Sequence, residues 1–374
     1  MNFELSVEQD MLREASRELL SDRAPIGHVR AWTDREEDVD PEVWRLTAGL
    51  GWPGLGLPEE YGGSGQGLVE LVLVAREVGR ALGRGPFLPT AIVGRALAAA
   101  GSPGLRAEVL PALATGSSWA TWAFAEPRAP WALDGVRATA RTERDAIVLD
   151  GVKTAVQDAG GARQLLVTAL HDGVPASFLV DRTAPGVAVR RQRTLDPTRS
   201  FHEVRFEGVR VAREYRLAGG PDEIQRLLDE ASVLRCADAL GVMERMLELT
   251  VQHAKERVQF GRPIGTFQAV KHACADMALL VHGAHAVTSY AAMAADAGSD
   301  DDGRAACAAA SYVCAGAGEV AARALQLHGG IGFTWEHDLH LHLRRARADS
   351  VLYGDAAVHR DRLCTLLRRS PASP

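Results

Sequence analysis

The sequence predicts an α+β chain in three consecutive parts, helical, then β, then helical again, because its residue pattern changes twice along 374 residues. Residues 1–118 are Ala- and Leu-rich stretches broken by Gly and Pro signals such as GWPGLGLPEEYGGSG, which reads as helices punctuated by loops. Across residues 119–216 the period drops to two. DAIVLDGV, RQLLVTAL, ASFLVD, GVAVR and FHEVRFEGVRV are short alternating runs separated by turn residues, as in a small β-barrel or sandwich. Helical spacing returns over 217–374. Leu240, Met243, Leu247, Val251, Ala254 and Val258 step by three or four, which places them on one face of a long helix. The polar run AGSDDDG at 297–303 reads as a solvated loop between two helices. No strand–helix alternation is visible, and no GxGxxG follows a strand, so a dinucleotide would not be held by a doubly wound sheet.

Composition narrows the chemistry. Apolar residues make up 47% and charged residues 24%, which is ordinary for a globular chain. A net charge of -6 argues against a nucleic-acid surface. The five cysteines show no CxxC spacing and lie mostly in Ala-rich helical stretches, so buried free thiols in a reducing cytosol are expected. The opening MNFELSVEQDMLREA contains acids and no long apolar run, so neither a signal peptide nor a location outside the cytoplasm is expected. No stretch of about 20 uninterrupted apolar residues predicts a membrane span. His337, His340 and His342 in HDLHLH have no acid or cysteine at ligand spacing, so no metal is expected. No GxSxG elbow or Cys/His nucleophile pair stands out either.

The long helix of the third part is expected to end at Gln259-Phe260-Gly261, with Gly261, Pro263 and Gly265 breaking it. Arg257 in its last turn has two readings. It can neutralise the helix C-terminus, or its guanidinium can clasp a diphosphate. Gln268 is placed to reach an adenosine group. Gly329 and Gly330 either end a helix or let backbone approach a ligand closely.

Four segments, in order, carry a resemblance that runs nearly end to end: LPEEYGGSG (57–65), WATWAFAEP (119–127), RVQFGRPIGTFQAVK (257–271) and QLHGGIGFTWEHDLHLHLRRAR (326–347). The chain resembles the acyl-CoA dehydrogenases. The resemblance implies an N-terminal helical domain, a middle β-domain and a C-terminal four-helix bundle. It implies that Arg257, Phe260, Gln268, Gln326, Gly329 and Gly330 serve the adenine end of an FAD held mainly by a neighbouring subunit, and hence an obligate oligomer. Phe124, Ala125 and Gln157 fall where the family meets its flavin. Here the sequence departs from the family. RAPWALDG follows Pro127 in place of Gly-Ala-Gly-Ser-Asp, and Ala155-Val156-Gln157 replaces the Trp-Ile-Thr or Trp-Ile-Ser that packs on the isoalloxazine.

The family reaction removes an α-proton with a carboxylate while a β-hydride leaves to the flavin. The base occupies one of two places in the family. One directly follows a tyrosine, where this chain has Gly354 after Tyr353; the other aligns on Ala231. Each place has an acid next door, Asp355 and Glu230. Asp355 follows a glycine in a loop and suits either a displaced base or the N-cap of AAVHRDRLCTLL. Glu230 is the weaker base candidate, and a solvated helix face suits it. Family members that degrade steroid side chains in actinobacteria share the Thr194–Thr198 pattern and the Gly-Asp ending. They form heterotetramers in which one chain can lack the base that its paralogue supplies. The resemblance thus implies α,β-desaturation of an acyl-CoA thioester, with a paralogous partner supplying the base. Two alternatives stay open: a catalytically silent structural subunit, and a flavin monooxygenase or oxidase acting on a non-CoA substrate.

Overall fold

The structure, a computed structural model, describes residues 3–33, 35, 37–299 and 301–369. Its first part contains α1 (Val7–Arg23), α2 (Ile26–Thr33), α3 (Pro41–Gly49), α4 (Leu68–Ala81), α5 (Phe87–Ala100) and α6 (Pro103–Ala114). Local chemistry sets their starts. Ser6 and Gln9 cap α1 reciprocally, and Asp40 accepts from the amides of Glu42 and Val43 at the start of α3. Each such cap supplies partners to donors that a helix start leaves unpaired.

The middle part is one curled seven-stranded sheet, rather than two stacked sheets. Its strands are β1 (Ala120–Ala123), β2 (Thr139–Glu143), β3 (Ala146–Gln157), β4 (Gln164–His171), β5 (Val174–Asp181), β6 (Val187–Gln192) and β7 (Phe201–Ala212). The order is β1-β4-β2-β3-β7-β6, with β5 paired to β4. Leu165, Val167, Phe178, Val204 and Phe206 fill its concave core. β3 slips register against β7 between Lys153 and Val156, and Ala155 takes the left-handed region there (φ 50°). That bulge aims the end of β3 out of the regular ladder.

The third part holds α7 (Pro221–Glu256), α8 (Gln268–Asp296), α9 (Asp302–His328), α10 (Leu339–Asp349) and α11 (Ala356–Arg369). α7, α8 and α9 pack mutually and α11 packs on α9, giving the four-helix arrangement; α10 lies against α7 and α9. α9 is long and apolar enough to cross a membrane by length and composition, yet most of its apolar residues from Ala305 to Ala324 are buried in the core. Of the five cysteines, Cys236, Cys307 and Cys314 are buried, whereas Cys274 is half-buried and Cys364 is exposed. α7 stops at Glu256, short of the expected end, and Val258–Gln259 pairs with Arg262–Pro263 in a tight hairpin. Phe260 (φ 54°) and Gly261 (φ 77°) both turn left-handed at its tip, the backbone of a two-residue hairpin turn.

The outer parts are joined where α4 crosses α7. A Cβ on Gly79 would sit 1.9 Å from the Asp238 carbonyl oxygen, and one on Gly241 would sit 1.9 Å from the Arg76 carbonyl oxygen. Only glycine permits so close an approach of two helix backbones. Beside this crossing lies a buried ionic node. Arg199, from the loop after β6, pairs with Asp349 of α10 and, at 2.8 Å, with Asp238 of α7. Arg345 of α10 reaches Asp196 at 3.2 Å, and it donates to Thr198 Oγ1 and to the Gly83 carbonyl. All five charged side chains are buried.

Burial also sets a pH dependence. It pushes His328, His342 and His359 down to about 4, so the unfolded chain binds protons on these groups before the folded one does. Stability therefore rises with pH between about 4 and the unfolded histidine value near 6.5. Burial raises Asp158 to about 6 and Asp349 to about 7, which acts in the opposite direction. His202, His253, His285 and His340 are held below their ordinary value as well, and Asp229 above its own. The lowered histidines outnumber the raised carboxyls, so acidification from pH 6 to pH 4 is expected to destabilise the fold. Urea midpoints measured along that series test this; a flat or rising series toward acid refutes it.

Candidate active site and cofactor half-site

The two positions at which the resemblance places a base lie on different elements. Ala231 is on α7, and Gly354 is in the loop between α10 and α11. Tyr353 and Gly354 both have positive φ, 58° and 106°, so the chain turns sharply there and sends residue 355 outward. Asp355 is exposed, and its Oδ1 accepts from the amides of Ala357 and Val358, each at 2.9 Å. Its carboxylate therefore caps α11. Asp355→Ala is expected to cost about 1 kcal/mol of stability, read by thermal unfolding, and Asp355→Asn much less.

Glu230 is not on a solvated face. It accepts from Arg95 of α5 at 2.6 and 3.0 Å, and its side chain is only 16% exposed. The pair bridges α5 and α7 beside a cavity of about 240 Å³, lined by Ala96, Ala99, Ser177, Leu217 and Ile224 among others. Sequence reasoning found the acid but not its partner. Nothing near Glu230 in the chain points to an arginine 135 residues away.

Tyr353, next to Gly354, belongs to a cluster of aromatic rings that reaches β1. Phe124, just past β1, stacks on Trp131 at 6.0 Å and 12°. Trp131 meets Tyr353 edge-on at 5.0 Å, and Trp122 of β1 lies 5.0 Å from Phe124 and 6.5 Å from Tyr353. Burial pushes the Tyr353 phenol up to about 12, so it stays neutral. Ala125 is buried and its carbonyl accepts from the Thr154 amide. Gln157 is buried at the end of β3; its amide nitrogen donates to Asp158, and its Oε1 has no partner among the described residues.

The other candidates gather at one end of the helical bundle. His253, in the last turn of α7, stacks on His328 at the end of α9 (4.5 Å), and His328 meets His337 edge-on at 4.8 Å. These rings hold the α7 hairpin beside the glycine turn. Arg257, Gln268, Gln326, Gly329 and Gly330 are all exposed at that end, and the Gln268 amide lies 2.9 Å from His272 Nε2. Phe260 is 92% exposed and Phe333 74%, with Val258, Ile331 and Trp335 also exposed. Single exposed apolar residues are ordinary, but a group of this kind marks a contact surface. His340 stacks on Trp335, and His342 Nδ1 faces the Asp338 carbonyl, so the histidines of HDLHLH point to different neighbours. Among the described residues no His, Cys, Asp or Glu group is arranged to hold a metal.

A curled β-domain between two helical domains is the architecture of oxidoreductases that act on acyl thioesters. This chain belongs to the acyl-CoA dehydrogenase family: residues 6–117 match the acyl-CoA dehydrogenase N-terminal domain, and residues 219–365 match its C-terminal domain. It is 35% identical over 346 residues to the acyl-CoA dehydrogenase IpdE2 of Mycobacterium tuberculosis, covering 92% of each chain. Among solved structures it superposes with TM-score 0.93 on one chain of the ChsE4-ChsE5 complex from Mycobacterium tuberculosis, at 28% identity, covering 100% of this chain and 100% of that one. It also superposes with TM-score 0.89 on a point variant of the Tcur3481-Tcur3483 steroid acyl-CoA dehydrogenase, at 33% identity, covering 98% of this chain and 99% of that one.

Proposed function

We propose that this chain is one subunit of a hetero-oligomeric, FAD-dependent acyl-CoA dehydrogenase that desaturates an acyl-CoA thioester between Cα and Cβ. In this reading a paralogous partner supplies the base, and this chain lends the adenine side of the cofactor site. The observation that carries the reading is that both acids beside the vacant base positions are committed elsewhere, Asp355 to the cap of α11 and Glu230 to Arg95. A general base must reach the proton that it takes. A carboxylate turned to solvent, or held by a guanidinium, is poorly placed to do so.

The residues fit FAD unevenly. At the bundle end, Arg257 offers a fork of donors that suits a diphosphate, the exposed Phe260 offers a ring face, and Gly329 and Gly330 let backbone come close. Their exposure suits a ligand shared with a second chain. On the β-domain side the fit is poor, because ring-to-ring contact among Phe124, Trp131 and Tyr353 occupies the gap between the flavin segment and the base loop. When bound in a complete site, the flavin accepts the β-hydride. The heteromeric ChsE4-ChsE5 and Tcur3481-Tcur3483 structures support a paired arrangement, and the steroid named for the latter points to a bulky acyl group as the substrate.

The test is expression of the chain alone and together with a paralogous acyl-CoA dehydrogenase, with native mass and the flavin-to-chain ratio measured. The expected result is a colourless chain alone and fewer than one flavin per chain in the complex, with acyl-CoA bleaching the flavin anaerobically. A yellow homo-oligomer that holds one flavin per chain and is bleached by acyl-CoA overturns the reading.

A further inference from the structure

Resting on that reading, we infer that Trp131 is a built-in plug: its indole fills the bay of this chain where a flavin ring would lie, and keeps the chain free of its own flavin. The argument starts from the loop that carries it. Residues 127–137 leave β1 and return to β2 through a neck closed by one buried ion pair. Glu126 Oε1 accepts from Lys153 Nζ at 2.7 Å, from the Arg137 amide at 2.9 Å and from the Ala138 amide at 2.8 Å. Lys153 also donates to the Phe124 carbonyl at 3.0 Å. Both charged side chains are buried. The loop also folds tightly on itself, since a Cβ on Gly135 would sit 2.5 Å from the Pro130 carbonyl oxygen. The neck and the fold-back together fix where the tip of the loop goes.

The tip carries Trp131, half-buried, against the rings of the core. Its ring contacts Phe124 on one side and Tyr353 on the other, at 6.0 and 5.0 Å between centroids. Those separations are the range of aromatic rings in direct contact, which leaves no layer between them for a further flat ring system. Phe124 belongs to the segment that resembles the family's flavin contact, and Tyr353 precedes the vacant base position. In a complete site, flavin and acyl thioester must both lie between these two segments. Here one side chain of the chain itself spans the distance. Trp122 backs the cluster, anchored by its Nε1–H donating to Thr168 Oγ1 at 3.0 Å. The Ala155-Val156-Gln157 segment adds no ring to hold a flavin from the other side.

The probe is lumiflavin, the bare isoalloxazine without the adenosine arm, which separates the ring bay from the adenine half-site. Titrations read by fluorescence quenching would use the full chain, wild type and the variants Trp131→Ala, Trp131→Val and Trp131→Phe. Wild type and Trp131→Phe are expected to show no saturable binding, and Trp131→Ala to bind lumiflavin saturably. Trp131→Val, which leaves a smaller hole, gives the same reading should the alanine variant not fold. Saturable binding by wild type overturns the inference, as does a folded variant, with wild-type circular dichroism and native mass, that binds no better than wild type. The subunit reading is judged separately, by the flavin-to-chain ratio of the unaltered complex. It falls if that ratio is one, and it stands below one whatever the variants do.

Discussion

Asp238→Ala is expected to destabilise the fold by about 3–5 kcal/mol, the largest single-residue effect on stability expected in this chain. Asp238 sits on α7 between two arginines, 2.8 Å from Arg199 Nη2 and 3.7 Å from Arg345 Nη1. Both guanidiniums are buried, so removing the carboxylate leaves positive charge in a medium that solvates it poorly. Asp349 and Asp196 remain, but neither can reach both arginines in the way Asp238 does. Asp238→Asn keeps the shape, and is expected to cost less. Glu207→Ala, at an exposed pair with Arg205, is the control and should stay within about 0.5 kcal/mol of wild type. Urea midpoints at constant m-value make the comparison. An Asp238→Ala chain as stable as the control would mean that the node contributes nothing net.

Arg257→Met is expected to weaken FAD retention by the assembled complex by roughly 10- to 100-fold, as the loss of a hydrogen bond from a charged donor predicts (about 1.5–3 kcal/mol). Arg257 is exposed past the end of α7, so its removal should leave circular dichroism and melting temperature unchanged. The readout is the flavin remaining after gel filtration at low concentration. Gln268→Ala, a neutral contact, should show the same direction with a smaller loss. Unchanged retention in Arg257→Met would assign the arginine to the helix C-terminus alone.

Much of the architecture was legible because its cause is local. The alternating runs between residues 119 and 216 become β-strands and the three-and-four stepping of Leu240 to Ala254 becomes α7, since period alone decides which residues share a face. Val258 continues that stepping, but it stands in a hairpin and is exposed. The stop comes from Arg257, whose backbone is extended (φ -71°, ψ 119°), and from the left-handed turn at Phe260-Gly261. The residues Gly354 and Ala231, at the positions where the resemblance places a base, could be read from the letters. What occupies their surroundings could not. The Arg95–Glu230 bridge and the contact of Trp131 with Tyr353 join residues far apart in the chain, and only the folded backbone brings them together. RAPWALDG read as a glycine-rich motif lost; folded, it is a tryptophan gained.

The uncovered aromatic end of the bundle bears on how much of this chain a cell can tolerate. Phe260, Phe333 and Trp335 project into water beside one another's loops, and such rings are the features on which unpaired subunits clump or are seized by chaperones. Under the pairing proposed above, an orphan copy made faster than its mate would carry that liability for its whole life. Matched dosage of two genes, achieved by translation from one message, would then be a requirement written into the surface of the protein itself.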